Sequence, residues 1–294
     1  MRTTSAVIGT AAAVTLALTA CGAPSEQTPS GQDQDEVLRV GVPLVPHGDI
    51  LSFIDENLAD EAGLELEIVE IADYNTPNAA LADDDLDANY FQHRAFLTEW
   101  QENRPDVDLE YLTDVHIERL GLYSESITDV DELSEGAEVA VPNDPANLNR
   151  ALRILESEGL VEIDPDAGET ATENDVVENP DDLVITPLEA AQLPRSISDV
   201  DAAVVNGNYA IEADLAEEAN VLAWEPEGED YVESYANGLV TLQENVDDER
   251  IQLLADLLHD EQVLEYIQDS WQGVILAVDA DGDIVEDGGA VEDE

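Results

Sequence analysis

No lysine occurs in the chain. All positive side-chain charge rests on nine arginines, at positions 2, 39, 94, 104, 119, 150, 153, 195 and 250, against 71 aspartates and glutamates, a formal net charge of −62 over 294 residues. Phosphate backbones need a basic face, so nucleic acid is excluded as a partner, and anionic membrane surfaces are disfavoured by the same repulsion. The acids are spread along the chain rather than gathered in one tail. Such a surface repels itself in dilute buffer, and the repulsion is screened within about 3 Å at 1 M salt, so the composition is that of a halophilic protein. Disorder does not follow, because 44% of the residues are apolar, enough for a packed core.

Cysteine is nearly as scarce. Cys21 stands alone, which excludes an internal disulfide and a thiolate metal cluster. The chain also lacks G-x-S-x-G, H-E-x-x-H, a P-loop and G-x-G-x-x-G, so an enzyme would have to work with scattered acids, histidines and serines, and no acid–base pair stands out. The expectation is therefore no enzyme, no cofactor and no metal. Asp83-Asp84-Asp85-Leu86-Asp87 looks like a ligand set, but composition alone accounts for it as a solvated face. Asp279-Ala-Asp281-Gly-Asp283 imitates a calcium loop, yet Ile284 stands where Gly is needed and Ala290 where a bidentate Glu is needed, so residues 279–294 read as an acidic C-terminal tail.

Long apolar runs are missing except at the start. Ala6 to Leu18, behind Arg2, has the length of a secretory h-region and is too short to span a membrane. Leu18-Thr19-Ala20-Cys21 follows at once and resembles the lipobox of bacterial lipoproteins. The expectation is a signal peptide over residues 1–20, a lipidated Cys21, and a Pro, Gly, Ser and acid-rich tether through residue 36. That places the protein at the cell membrane, lipid-anchored on its extracytoplasmic face and touching the bilayer through the anchor alone.

Residues 37–278 alternate short apolar strands with helical patterns. Val37–Val42 and Leu64–Ile71 read as strands around a helical Ile50–Leu58, an order that predicts parallel β-α-β units. A second set begins near Leu120 with Glu138–Val141, a helix from Pro145 to Glu158, Leu183–Ile185 and Asp201–Val205. The chain then returns through Gly238–Leu242 to a helix-rich stretch, Asp247–Ser270. The predicted organisation is α/β with two lobes, residues 37–119 with 238–278 and residues 120–237, and a ligand cleft between them.

Candidate ligand-contacting residues sit in segments poor in acid. Tyr74 lies in Asp73-Tyr-Asn-Thr-Pro-Asn78, directly after a strand, where α/β sheets present binding loops. Phe91 and His93 lie in Asn89-Tyr-Phe-Gln-His93. In Val139-Ala-Val-Pro-Asn-Asp-Pro-Ala-Asn-Leu-Asn-Arg150, Asp144 is a good N-cap and Pro145 suits the first helical position. Arg150 then falls in the second turn, and a planar fork beside free helix amides suits a carboxylate. Asn206 and Asn237 lie where strands meet turns, as neutral groups able to hydrogen-bond an ammonium or a carboxylate.

Taken in order, GVPLVPHGDIL (41–51), the Tyr74 segment, Asp87–His93, Val141–Arg150, Val177-Glu-Asn-Pro180, Leu188–Ser196 and Ala203–Tyr209 resemble the NlpA family of methionine-binding lipoproteins over about Val37 to Val278. The resemblance implies a type II periplasmic-binding-protein-like fold. It also implies a monomeric substrate-binding protein that takes methionine, D-methionine or a methionine dipeptide and delivers it to an ABC transporter permease. Carried over residue by residue, Tyr74, Phe91 and His93 would form the side-chain pocket, Arg150 would hold the carboxylate, and Asn147, Asn206 and Asn237 would complete the head-group bonds. Arg195 is given a structural role. Departures are Asn149 where the family often has Gly, Tyr90 before the pocket Phe, and acids in place of the usual lysines. The competing readings are a metal-binding lipoprotein of an ABC importer, drawing on His47, His93, His116 and His259, and an extracellular enzyme on a binding-protein scaffold.

Overall fold

The computed structural model describes residues 37–215, 219–228, 231–271 and 274–285. The expected signal peptide, Cys21 and the tether lie outside the described residues. No helix among those described is long and apolar enough to cross a membrane.

The strands are β1 (Val37–Val42), β2 (Glu65–Glu70), β3 (Ala88–His93), β4 (Leu109–Glu118), β5 (Gly121–Ser124), β6 (Glu138–Pro142), β7 (Glu162–Ile163), β8 (Val176–Glu178), β9 (Val184–Leu188), β10 (Ala202–Val205), β11 (Asn220–Trp224), β12 (Ala236–Leu242) and β13 (Ile275–Ala277). They form a six-stranded sheet ordered β13-β4-β12-β3-β1-β2, a five-stranded sheet ordered β11-β5-β10-β6-β9, and a small β7-β8 pair. Apolar clusters pack against both sheets. Leu38, Val40, Ile50 and Ile54 bury against Ile251 and Ile267 in one, and Val139, Val141, Leu152 and Ile154 form another with Val204. Fully burying such a side chain contributes about 1.5–3 kcal/mol.

The parallel expectation holds for β1 with β2 and β3, and for β6 with β9 and β10. It fails for β12, which inserts antiparallel between β3 and β4, and for β5, antiparallel to β10 and β11. The reason is the double crossing between sheets. β4 leaves the first sheet as β12 enters it, so the two segments run side by side in opposite directions, with Ala236 opposite Ile117. On the second sheet's side of the crossing the Glu225 amide donates to the Leu120 carbonyl at 2.9 Å, extending the β11–β5 pairing beyond Trp224 and Gly121.

The expected C-terminal tail starts later than Asp279. Val278 bridges Ile284, the Asp279 amide donates to the Asp283 carbonyl, and Val285 N donates to Ala277 O. Asp279 spends its carboxylate on the amides of Asp281 and Asp283, and Ile284 joins an apolar cluster with Ile117 and Val278, so this stretch is a folded turn.

Candidate functional site

The strands carry the candidate residues to one place. β3 ends in Phe91, Gln92 and His93, all buried although the strand has three polar side chains. His93 is the N-cap of the helix Arg94–Glu102: its Nδ1 accepts the Phe96 amide at 3.2 Å, which turns Phe96 toward Phe91. Tyr74 follows β2 in the loop before Pro77. Asp144 caps the helix Pro145–Ser157 by accepting the Asn147 amide at 2.9 Å, placing Asn147 and Arg150 on its buried face. Asn206 ends β10, and Asn237 lies in β12 opposite both His93 and His116.

A small cavity is lined by all seven sequence-derived candidates, Tyr74, Phe91, His93, Asn147, Arg150, Asn206 and Asn237, with Gln92, Phe96 and Glu118 added. One end is aromatic: the Tyr74, Phe91 and Phe96 rings stand 5.7–6.0 Å apart, edge-on or tilted, with Ala146 beside them. The Tyr74 hydroxyl donates to Asn208 Oδ1 at 2.6 Å, so the ring is pinned to the second sheet's side.

The other end is polar and charged. Because His93 Nδ1 accepts a backbone amide, its proton sits on Nε2 and is donated to Asn147 Oδ1 at 3.1 Å. Burial, with Arg150 nearby, lowers the His93 pKa to about 3, so the imidazole is neutral. Glu118 ends β4. The absence of a Cβ at Gly207 lets the following helix approach it, since an added Cβ would meet Glu118 Cβ at 3.0 Å and the Arg119 carbonyl at 3.1 Å. The Asn208 amide thereby reaches Glu118 Oε2 at 3.1 Å. Burial pushes the Glu118 carboxyl up, while His47, that amide and Arg150 pull it back. Asn206 Oδ1 is buried and has no hydrogen-bond partner among the described residues. An orphaned buried acceptor costs about 1–3 kcal/mol, and a ligand donor would remove that cost.

Arg150 differs from the free fork expected of it. Its Nε and Nη2 donate to Glu225 Oε1 and Oε2 at 2.7 and 2.6 Å, Nη2 also donates to the Glu118 carbonyl, and Nη1 donates to Asn147 Oδ1 at 3.2 Å. Of five guanidinium N–H groups, one on Nη1 remains. Burial pulls the Arg150 pKa down, but Glu225, which also accepts the Tyr231 hydroxyl, outweighs it and raises the pKa, and Tyr235 lies 4.6 Å under the guanidinium. Nor are the histidines scattered as their spacing suggested: His47 and His116 meet Glu118 in one buried group. Glu118 and Glu225 were not singled out because, among 71 acids, one carboxylate carries no signal. Phe96 had a signal, being one of three phenylalanines and three residues past His93.

Residues 38–278 match the family described as NlpA lipoprotein. The chain is 36% identical over 263 residues to the probable D-methionine-binding lipoprotein MetQ of Vibrio cholerae, covering 90% of this chain and 93% of that protein. Among solved structures, a nutrient-binding protein from Burkholderia cenocepacia bound to methionine superposes with a TM-score of 0.77 at 35% identity, covering 82% of this chain and 99% of that one. A periplasmic substrate-binding protein of an ABC transporter from Coxiella burnetii gives 0.75 at 35% identity, covering 82% and 100%. With its two-lobed α/β architecture and a match spanning both sheets, the chain belongs to the NlpA lipoprotein family.

Proposed function

We propose that this protein is an extracytoplasmic binding lipoprotein that captures methionine and delivers it to an ABC importer, and that it is a transport component rather than an enzyme. The observation that carries the reading is one small cavity with an aromatic corner at one end and mixed charge at the other. A thioether suits the corner of Tyr74, Phe91 and Phe96, since sulfur–aromatic contacts contribute about 0.3–1.5 kcal/mol each. The ammonium faces three acceptors, the Glu118 carboxylate, the unpartnered Asn206 Oδ1 and Asn237 Oδ1. The carboxylate takes the remaining Nη1 hydrogen of Arg150, with Asn147 beside it.

In this reading residues 37–119 and 238–278 form one lobe, residues 120–237 the other, and the paired crossings near Leu120 and Glu225 are the hinge. Cys21 carries the lipid. The similarity to MetQ and to the methionine-bound Burkholderia protein supports the choice of ligand, and the Coxiella protein supports the importer.

Mass spectrometry of ligand released from denatured protein, followed by calorimetric titration with L-methionine, D-methionine, leucine and zinc, tests the proposal. Methionine in the released fraction and tight methionine binding are expected. Zinc binding without methionine binding would replace this reading with a metal carrier.

A further inference from the structure

We infer that His116, fixed in one tautomer by Tyr90, and His47 are positioning residues that hold the Glu118 carboxylate for the ligand ammonium, so that the site selects ligands carrying a free amino group. The inference rests on Glu118 as the ammonium seat. Its geometry is independent of any ligand.

Glu118 Oε1 lies 3.2 Å from His116 Nε2 and 3.4 Å from His47 Nε2, and Oε2 accepts the Asn208 amide at 3.1 Å. The buried Tyr90 hydroxyl has His116 Nδ1 as its one hydrogen-bond partner among the described residues. A buried hydroxyl with no other acceptor donates there. The proton of His116 must then sit on Nε2, directed at Glu118. His47 Nε2 also lies 3.4 Å from Asn237 Oδ1, so the same ring orients a second ammonium acceptor. Edge-on packing limits ring rotation, with His47 centred 4.7 Å from Tyr90 and 4.8 Å from His116.

Charge explains why histidines occupy these positions. Both are buried, which lowers their pKa values to about 4 for His47 and about 3 for His116. They therefore donate hydrogen bonds to the carboxylate without cancelling its charge. A lysine or arginine there would pair with Glu118 and compete with the ligand. Hydrogen bonds to the ionised form favour that form against the burial that disfavours it.

The test is calorimetric titration of wild type, Tyr90→Phe, His47→Gln and Glu118→Gln with L-methionine and with 4-(methylsulfanyl)butanoate, which lacks the amino group. A ¹⁵N spectrum of the imidazoles reads the tautomer directly. The expected result is His116 with its proton on Nε2 in wild type and a mixed tautomer in Tyr90→Phe. Tyr90→Phe and His47→Gln should weaken methionine binding about threefold to tenfold and leave the analogue unchanged.

Unchanged methionine affinity in Glu118→Gln would remove the ammonium seat and the inference with it. Weakening in Glu118→Gln alone, equal weakening of both ligands in the Tyr90 and His47 variants, or an Nδ1-protonated His116 would overturn the positioning role and leave the seat standing. Stoichiometric zinc that raises the wild-type melting temperature, and not that of His47→Gln, would assign the cluster to a metal and overturn the inference.

Discussion

Arg150→Ala tests the site and the fold together. Its side chain is 2% exposed and that of Glu225 is 4% exposed. Removing the guanidinium leaves Glu225 with the Tyr231 hydroxyl at 2.9 Å and the Leu120 amide at 3.4 Å, and no compensating positive charge in contact among the described residues. Breaking a buried pair by deleting one partner costs about 3–5 kcal/mol. At about 2–4 °C per kcal/mol for a chain of this size, the unliganded melting temperature should fall by roughly 6–20 °C. Replacing both partners, Arg150→Met with Glu225→Gln, should recover most of that loss, because no charge is then stranded. Binding should weaken about tenfold to more than a hundredfold, the worth of a charge-assisted bond of about 1.5–3 kcal/mol to the ligand carboxylate. Lysine should be intermediate in both measures, since it cannot present two parallel N–H groups to Glu225. Scanning fluorimetry in fixed salt and calorimetric titration read the two effects. A melting temperature within about 2 °C of wild type would refute the buried-pair argument. Lost stability with unchanged methionine affinity would confine Arg150 to the fold.

Asn206→Leu deletes a buried acceptor that has no partner among the described residues, so it should weaken methionine binding about fivefold or more while leaving unliganded stability equal or higher; a large fall in melting temperature would mean that the amide is structural. Phe96→Ala opens the aromatic corner and should cost methionine about 1–3 kcal/mol in titration while changing head-group selectivity little. Dilution from molar salt should lower the melting temperature steadily, because the −62 charge is unscreened; a flat profile would remove the salt argument. His47, His93 and His116 have folded pKa values of about 4, 3 and 3, below the unfolded value. Their contribution to stability is therefore complete above about pH 6.5 and is lost as pH falls toward 4, with buried Glu118 and Asp144, shifted upward, acting oppositely near the carboxylate range. In molar salt, net proton uptake on unfolding should thus be positive between about pH 6 and 5, and potentiometry that finds unfolding releasing protons there would contradict the neutral imidazoles. Cys21→Ser should release the protein from the membrane fraction and leave methionine affinity unchanged.

Some of this was legible in one dimension. Proline at a first helical position, Asp144 as an N-cap and the apolar run of β1 are local signals, and the structure carries each as expected. Rarity helped as well: in an acidic chain with few aromatics and nine cations, Tyr74, Phe91, His93 and Arg150 stood out against their background. β4 and β5 were not apparent, because β4 reads LEYLTDVHIE, where acids interrupt the apolar alternation and its polar inward residues belong to the site.

What the sequence by itself determined is the set of local choices: where helices start, which segments are apolar, how charge is distributed, and which uncommon side chains lie near strand ends. Only the tertiary structure decided partnership. Glu118 and Glu225 are two of 71 acids, and nothing local separates one bound to Arg150 from one facing solvent. His47, His116 and Asn237 come from β-strand ends and a turn far apart in the chain, and they meet because β12 returns between β3 and β4. Hydrogen bonds and ion pairs at that separation depend on register and burial, which belong to the assembled sheets.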